Sequence, residues 1–588
     1  MSFRPAQWAR RVAACLLSVI GCGMLLHACG GSGDGSDVSG GGSGSAPPAG
    51  LSIETGSGWL HVNQTRQLTA RIVDASGSST PVTDRVTWHS SDDRIGAFDQ
   101  PASPGLLSAR TVGTFEVTAS LDGVSARAVI TVVPAPAAVQ QPLRVSTANP
   151  RYFEREPGMP ILLAGSHTWV NLQDNGTSHP PAPFDYEAFL RFLSDHGHNF
   201  FRLWAWEQSR WVLTVAEDQN WIAPSPFERT GPGLALDGLP KFDLTRFNQA
   251  YFDRLRQRVE QAGERGIYVS VMLFNGFSVA ASKPSSPPGA RSSWRGHPFN
   301  SANNINGING DPNGDGSGEE THELVVPAVT AIQEAYVRKV IDTLNDLDNV
   351  LYEISNESHA NSQAWQYHII DLVHAYEAGK PKQHPVGMTV EWPNGSNDEL
   401  FASRADWISP SGEISSRPVA TGAKVIIADT DHLCGVCGDR GWVWRSFTAG
   451  ENPVLMDPYD RDSVVGAPAE LDFDSPALVG ARRNMGYAIQ MSHRMDLARA
   501  LPQPALASTG HCLADLTGPQ PTLLAYLPNG GEVTVDLRQL PETSSLQVEW
   551  LRPETGSRSA AGTTAGGARR TFRAPFPGDA VLFLFSAP

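Results

Sequence analysis

The spacing of apolar residues changes character twice along the chain. From Leu51 to Val133 they alternate with polar ones in short runs, as in Gln67 to Val73 and Ala126 to Val132, which predicts half-buried strands and a β-sandwich. From about Leu143 to Ala500, short continuous apolar runs alternate with segments of helical spacing, the pattern of parallel strands buried on both faces. Strands are predicted at Ile161 to Gly165, His198 to Trp206, Ile267 to Phe274, Asn349 onward, Pro385 to Val390, Asp406 to Ser409, Lys424 to Ala428 and Pro453 to Met456. Helices are predicted at Asp185 to His196, with Tyr186, Phe189, Leu190 and Leu193 on one face, and at Tyr251 to Arg265, Tyr336 to Leu347, Trp365 to Tyr376 and Trp442 to Phe447. Eight strands with intervening helices fit a (β/α)8 barrel, interrupted by an insertion from about Phe277 to Glu323 and a short link between strands six and seven.

The fourth strand carries the most informative stretch, Asn349-Val-Leu-Tyr-Glu-Ile-Ser-Asn-Glu-Ser358, where an apolar run ends in an amide and a carboxylate. Barrel active sites are built on the C-terminal ends of the strands, so Glu357 is placed for chemistry. Strand seven ends in Asp429-Thr-Asp431; residues two apart on a strand face one way, so both aspartates are expected in the mouth. Glycoside hydrolysis needs one carboxylic acid to protonate the leaving oxygen and one carboxylate to attack the anomeric carbon or activate water.

Residues 353–357 resemble the strand-four signature of clan A glycoside hydrolases, most closely family 5, and Leu162 to Trp169 resembles the opening of secreted barrels related to clan A and to apiosidase-like enzymes. The likeness implies a TIM barrel with Glu357 as acid/base, a second carboxylate at strand seven, and retention of configuration. Two aspartates stand where family 5 has Glu; Asp431, nearer the rim, is the first choice as nucleophile and Asp429 the second. Arg202 resembles the strand-two arginine that keeps the nucleophile ionised. Asn356, His167, Trp169, Trp204, Trp206, Asn275, Trp392 and Trp442 fall at strand ends or the loops after them and are the expected sugar contacts, by hydrogen bonding or ring stacking. An inverting hydrolase needs a wider carboxyl gap. A rival of another class is a non-catalytic carbohydrate-binding, adhesin-like surface protein on a degenerate barrel.

Val86 to Asp92 and Gly113 to Ala119 resemble the bacterial immunoglobulin-like domain of type 2, with Trp88 as core, while Val548 to Gly556 and Phe572 to Phe585 resemble a small closing β-domain. The expected division is 1–28 leader, 29–50 linker, 51–134 immunoglobulin-like sandwich, 143–503 catalytic barrel and 504–588 C-terminal β-sandwich.

The basic start, the apolar run from Val12 to Leu26 and the small residues after it form a secretory leader too short for a good membrane span. Leu26-His-Ala-Cys29 resembles a lipobox, which implies lipidation of Cys29, and the Gly/Ser-rich stretch to Gly50 is then a tether to a membrane. The protein is therefore expected in the cell envelope, lipid-anchored at the outer membrane or cell surface, or secreted. Removing the leader's three arginines takes the net charge from -16 to -19, which argues against nucleic acid; a polysaccharide or oligosaccharide is the expected partner. No cofactor is required by the two-carboxylate chemistry. Asp311, Asn313 and Asp315, with Gly316 at the sixth position, have the spacing of a calcium loop, so a structural calcium is expected there, with Glu319, Glu320 or Glu323 closing it because position twelve is His322. In an exported protein Cys434 and Cys437 are expected to be disulfide-bonded, leaving Cys512 free.

Overall fold

The computed structural model describes residues 50–586 except 56–57, 74–78, 100, 135–137, 212–219, 280–292, 413–416 and 461–471. Cys29 and its tether lie outside the described residues. The chain forms two compact units, divided between residues 135 and 136.

The first unit consists of short strands in three sheets. Its longest hairpin pairs Gly113–Leu121 with Val124–Val133 in antiparallel register, and Thr87–Ser90 lies beside it. Alternate residues Phe115, Val117 and Ala119 point inward with Ile130 and Val132, the period-two burial their sequence predicts. Trp88 is in this core and donates from Nε1 to Thr83 O.

In the second unit eight parallel strands follow one another in order: Gly165–His167, Phe200–Leu203, Tyr268–Asn275, Val350–Asn356, Val386–Thr389, Trp407–Ser409, Val425–Asp429 and Asn452–Met456. Consecutive strands pair from the second to the eighth, and the eighth pairs with the first. Helices Tyr186–His196, Gln249–Gly263, Pro327–Leu344, Gln363–Glu377, Arg440–Thr448 and Pro476–Ser492 cover the outside. The first of them starts where Asp185 accepts from Ala188 N and stops at Gly197, whose φ of 71° only a residue without Cβ adopts freely.

The first strand departs from the expected Ile161 to Gly165. Residues 162–164 are outside the ladder, and the barrel strand is Gly165–His167. The reason is the seam between strands one and two, where side-chain amide groups replace ladder bonds. Asn199 Nδ2 donates to Leu162 O, Ala164 N donates to Asn199 Oδ1, and Asn199 N donates to Ala164 O. Above the seam, Asn171 and Gln173 use both ends of their amides on the backbones of residues 202, 204 and 206. Gly165 lets the two strands approach: a Cβ there would sit 1.9 Å from Phe200 O.

Inside the barrel Leu163, Phe200, Tyr268, Leu351, Trp407, Val425 and Ile427 form an apolar plug. One step of two residues further along the strands, the same face carries Arg202, Ser270, Glu353 and Asp429. Strand alternation therefore puts a charged layer directly above an apolar one.

The C-terminal β-domain packs on the barrel within the same unit. Its six-stranded sheet packs strands Cys512–Asp515 and Thr522–Leu527 on helix Arg440–Thr448. Arg440 pairs with Asp579, and Asn484 Nδ2 donates to Pro553 O.

Gly165→Ala is predicted to destabilise the protein by at least about 1–3 kcal/mol, because the methyl meets backbone rather than a flexible side chain. A lowered denaturant midpoint checks it; an unchanged midpoint would mean that the seam opens at no cost.

Candidate active site

Arg202 is the hub of the charged layer. It is completely buried, and its Nε and Nη2 grip Glu353 in a two-pronged pair. Nη2 also donates to Asn356 Oδ1 at 2.7 Å, and Nη1 donates to Asp429 Oδ2 at 2.9 Å and to Asp431 Oδ2 at 3.1 Å. One guanidinium thus joins the ends of strands two, four and seven. Planar, fixed donors suit this task better than a lysine ammonium would.

Asp431 is not on strand seven, contrary to the alternation argument. Asp429 ends the strand and accepts from Asp431 N at 2.9 Å, capping a short helix, Thr430–Leu433. Both aspartates nevertheless reach Arg202, Asp429 from the strand end and Asp431 from the first turn of the helix.

Their electrostatic states differ. Burial opposes ionisation of Asp429, but His167 and Arg202 beside it hold its carboxyl well below the ordinary range. Burial pushes Asp431 up to about 6, against the pull of Arg202 and helped by the negative charge of Asp429. With Asp429 already ionised beside the guanidinium, a second aspartate charge at Asp431 is resisted. Burial drives His432 down to about 3; its Nδ1 lies 2.7 Å from Ser409 Oγ and its Nε2 3.2 Å from Asn356 Oδ1.

Glu357 follows Asn356 at the C-terminal rim of strand four, nearly buried, with its backbone at φ 44°. Its amide faces Thr389 Oγ1 at 3.4 Å. Asn356 is completely buried; its Nδ2 has no hydrogen-bond partner among the described residues.

The other expected contacts separate by burial. Trp392 is partly buried, carries a cis bond to Pro393 and stacks on Phe277 with ring centres 6.0 Å apart. Trp169 lies at the edge of the core, its carbonyl accepting from Trp206 Nε1. Trp204 and Trp206 are closed off: Trp204 lies between His167, stacked at 5.5 Å, and Trp206. Trp442 is in the helix layer, wholly buried beside Thr430 and Leu455. These three are packing residues, not sugar platforms, because they present no face to solvent. Asn275 is also buried, its amide spent on Ala205 O and Phe277 N. His167 is buried against Asp429, 2.9 Å from Oδ2, and acts on that carboxylate rather than on a ligand.

In the Asp311 loop the oxygens turn toward the loop's own amides. Asp311 accepts from Gly314 N and Gly316 N, Asn313 from Asp315 N, and Asp315 from Ser317 N. Among the described residues no group of three His, Cys, Asp or Glu gathers as a metal site. Cys434 and Cys437 are disulfide-bonded immediately after the Asp431 helix, and Cys512 is free and buried.

Sequence reasoning missed Glu353 as a partner of Arg202. Its inward parity on the strand, four residues before Glu357, was the available signal. It also missed Glu207, His297 and His322, which meet across 90 and 115 residues of chain. Burial opposes the charge on Glu207, yet the two histidines hold it down to about 2.

Residues 217–396 match a family described as "Domain of unknown function (DUF6298)", and residues 507–584 match one described as "Putative collagen-binding domain of a collagenase". No curated protein matches the sequence. Among solved structures, the chain is similar to a "putative glycoside hydrolase" from Bacteroides vulgatus ATCC 8482, at 12% identity and a TM-score of 0.50, covering 86% of this chain and 99% of that one. A glycoside hydrolase family 5 structure from the same organism aligns at 14% identity and TM-score 0.49, over 76% of this chain and 93% of that one. A structure titled "Glycoside hydrolase" aligns at 13% identity and TM-score 0.49, over 76% of this chain and 97% of that one. The first of these likenesses is one of fold: the chain shares a TIM barrel with extra β-structure.

Asp431→Asn is predicted to raise thermal stability. A folded-state value near 6 lies above the ordinary 3.8, so the folded protein binds more protons than the unfolded chain between those values, and stability falls as pH rises through that window. The variant should therefore melt higher than the wild type at pH 7–8, with the gap closing toward pH 4. Equal melting temperatures at all pH values would show that Asp431 ionises without cost.

Proposed function

We propose that the protein is a glycoside hydrolase acting on a polysaccharide or oligosaccharide, with Glu357 as acid/base and Asp431 as nucleophile. The observation that carries this reading is that Arg202 ties Asp429 and Asp431 to Asn356, the residue next to Glu357, at one rim of the barrel. Asp431 is preferred over Asp429 because Asp429 is completely buried, its oxygens engaged by Arg202, His167 and the amide of Asp431. The Asp431 side chain retains 7% exposure.

In the first step Glu357 gives its proton to the glycosidic oxygen as Asp431 attacks the anomeric carbon, the C–O bond breaks, and a glycosyl ester forms on Asp431. In the second, Glu357 takes a proton from water, whose oxygen attacks the anomeric carbon and expels the Asp431 carboxylate. The sugar leaves with its original configuration. Arg202 stabilises the carboxylate as leaving group.

This arrangement supports catalysis that needs Asp431 ionised, so kcat/KM should rise with pH through about 6. Screening the full chain against oligosaccharides, followed by variants on the best substrate, tests the assignment. Glu357→Ala should impair substrates with poor leaving groups by roughly 100-fold or more while sparing activated aryl glycosides. Asp431→Ala should abolish turnover of both. Full activity of Asp431→Ala would remove it from the mechanism, and sugar binding without turnover in the wild type would favour a binding protein on a degenerate barrel.

We also propose that Cys29 anchors the protein to a membrane of the cell envelope. Wild type should partition into detergent and Cys29→Ala into the aqueous phase; equal aqueous partitioning would remove the anchor.

A further inference from the structure

A buried polar chain lies behind Glu357 that the two-step chemistry does not use. Glu207, after strand two, accepts from His322 Nε2 at 3.0 Å and from His297 Nε2 at 3.2 Å. Phe299 N donates to His297 Nδ1, so the ring hydrogen of His297 sits on Nε2 and points at Glu207. That histidine is a hydrogen-bond donor, not a metal ligand. On its other edge His322 places Nδ1 3.0 Å from Ser358 Oγ, which is 2.6 Å from Ser355 Oγ. The His322 ring lies flat on Trp365, centres 4.4 Å apart and planes 6° off parallel, and is completely buried. Trp365 Nε1 donates to Gln333 Oε1, and Gln333 donates to Thr321 O, so the residue before His322 is held as well.

Ser358 is the residue after Glu357, and Glu357 needs holding. A non-glycine residue at φ 44° is strained and persists only where its surroundings over-determine it. Here the carbonyl of Glu357 lies against Gly276, where a Cβ would come within 2.2 Å of it, and Ser358 O accepts from Trp392 N at 2.8 Å. The Glu357 amide faces Thr389 Oγ1, and the hydroxyl of Ser358 adds a further tether, shared between Ser355 and His322. His322 lies near the end of the insertion between strands three and four, so its imidazole links the insertion to the residue after the acid/base, beside a second link from Glu323 to His359.

We infer that the Glu207–His322–Ser358 chain positions the Glu357 carboxyl for proton transfer, which makes the insertion a working part of the active site and His322 a positioning residue. This rests on the glycosidase reading.

The test compares His322→Ala, His322→Gln and Ser358→Ala with the wild-type full chain on two glycosides of the same sugar, one with an activated aryl leaving group and one with a sugar leaving group. A displacement of the acid by about 1 Å is expected to lower kcat/KM on the sugar leaving group roughly 100-fold while leaving the aryl glycoside nearly unchanged. His322→Gln should recover part of the loss, since an amide can still donate to Glu207 and accept from Ser358. Equal losses on both substrates, or a change confined to KM, would overturn the inference by reducing His322 to a packing residue. If His322→Ala does not fold, Ser358→Ala, which deletes one hydroxyl, must show the same selective loss or the inference fails. Glu357→Ala is the control: selective loss there without it in His322→Ala removes the positioning role alone, and no selective loss there removes the glycosidase reading itself.

Discussion

A guanidinium at zero exposure in the middle of a barrel cannot remain without partners, because desolvating an unpaired charge costs several kcal/mol. Arg202 answers that constraint by taking every neighbour the barrel offers. Its donors go to a carboxylate on strand four, the amide that precedes Glu357, and two carboxylates at the end of strand seven. Glu353, Asn356 and Asp429 are placed by the strands that carry them and Asp431 by the short helix that follows strand seven, so the register of three strands converges on one side chain. Removing Arg202 would leave Glu353 and Asp429 buried without their cation.

The balance around Arg202 is deliberately uneven in charge. Glu353 and Asp429 take the favourable bonds, and Asp431, the outermost of the three, is left with an ionisation pushed upward. Such a group is costly to stability near neutral pH and is useful where a carboxylate must be both available and reactive. The same logic runs through the rim at Glu357, whose unfavourable backbone angle is held from three sides by Gly276, Trp392 and the Ser358–His322 link. Strain and perturbed ionisation thus occur together, at one end of the strands.

Much of this was legible in the sequence because it depends on short-range periodicity. The helical face of Tyr186, Phe189, Leu190 and Leu193 is buried as spaced, and strands two to eight begin and end within a few residues of their apolar runs. The position of Glu357 just past the end of strand four was legible because the apolar run stops there. Strand one was misplaced because Asn199 supplies by side chain what a ladder would supply by backbone, and hydrophobicity does not record that substitution. Asp431 was put on the strand because alternation assumes that the strand continues, whereas the Asp429 carboxylate caps a helix there. Trp204, Trp206 and Trp442 looked like platforms from their positions at strand ends, but whether an indole faces solvent is decided by partners far along the chain. Glu207 and His322 were invisible for the same reason.

The proposed mechanism requires Asp431 to form a bond to sugar. Incubating the protein with a panel of 2-deoxy-2-fluoro glycosides, then locating any adduct by peptide mass spectrometry, addresses that bond directly. The prediction is a single glycosyl adduct on Asp431, absent from Asp431→Asn. Turnover of the parent sugars with inverted products and no adduct, or an adduct on Asp429, would contradict it.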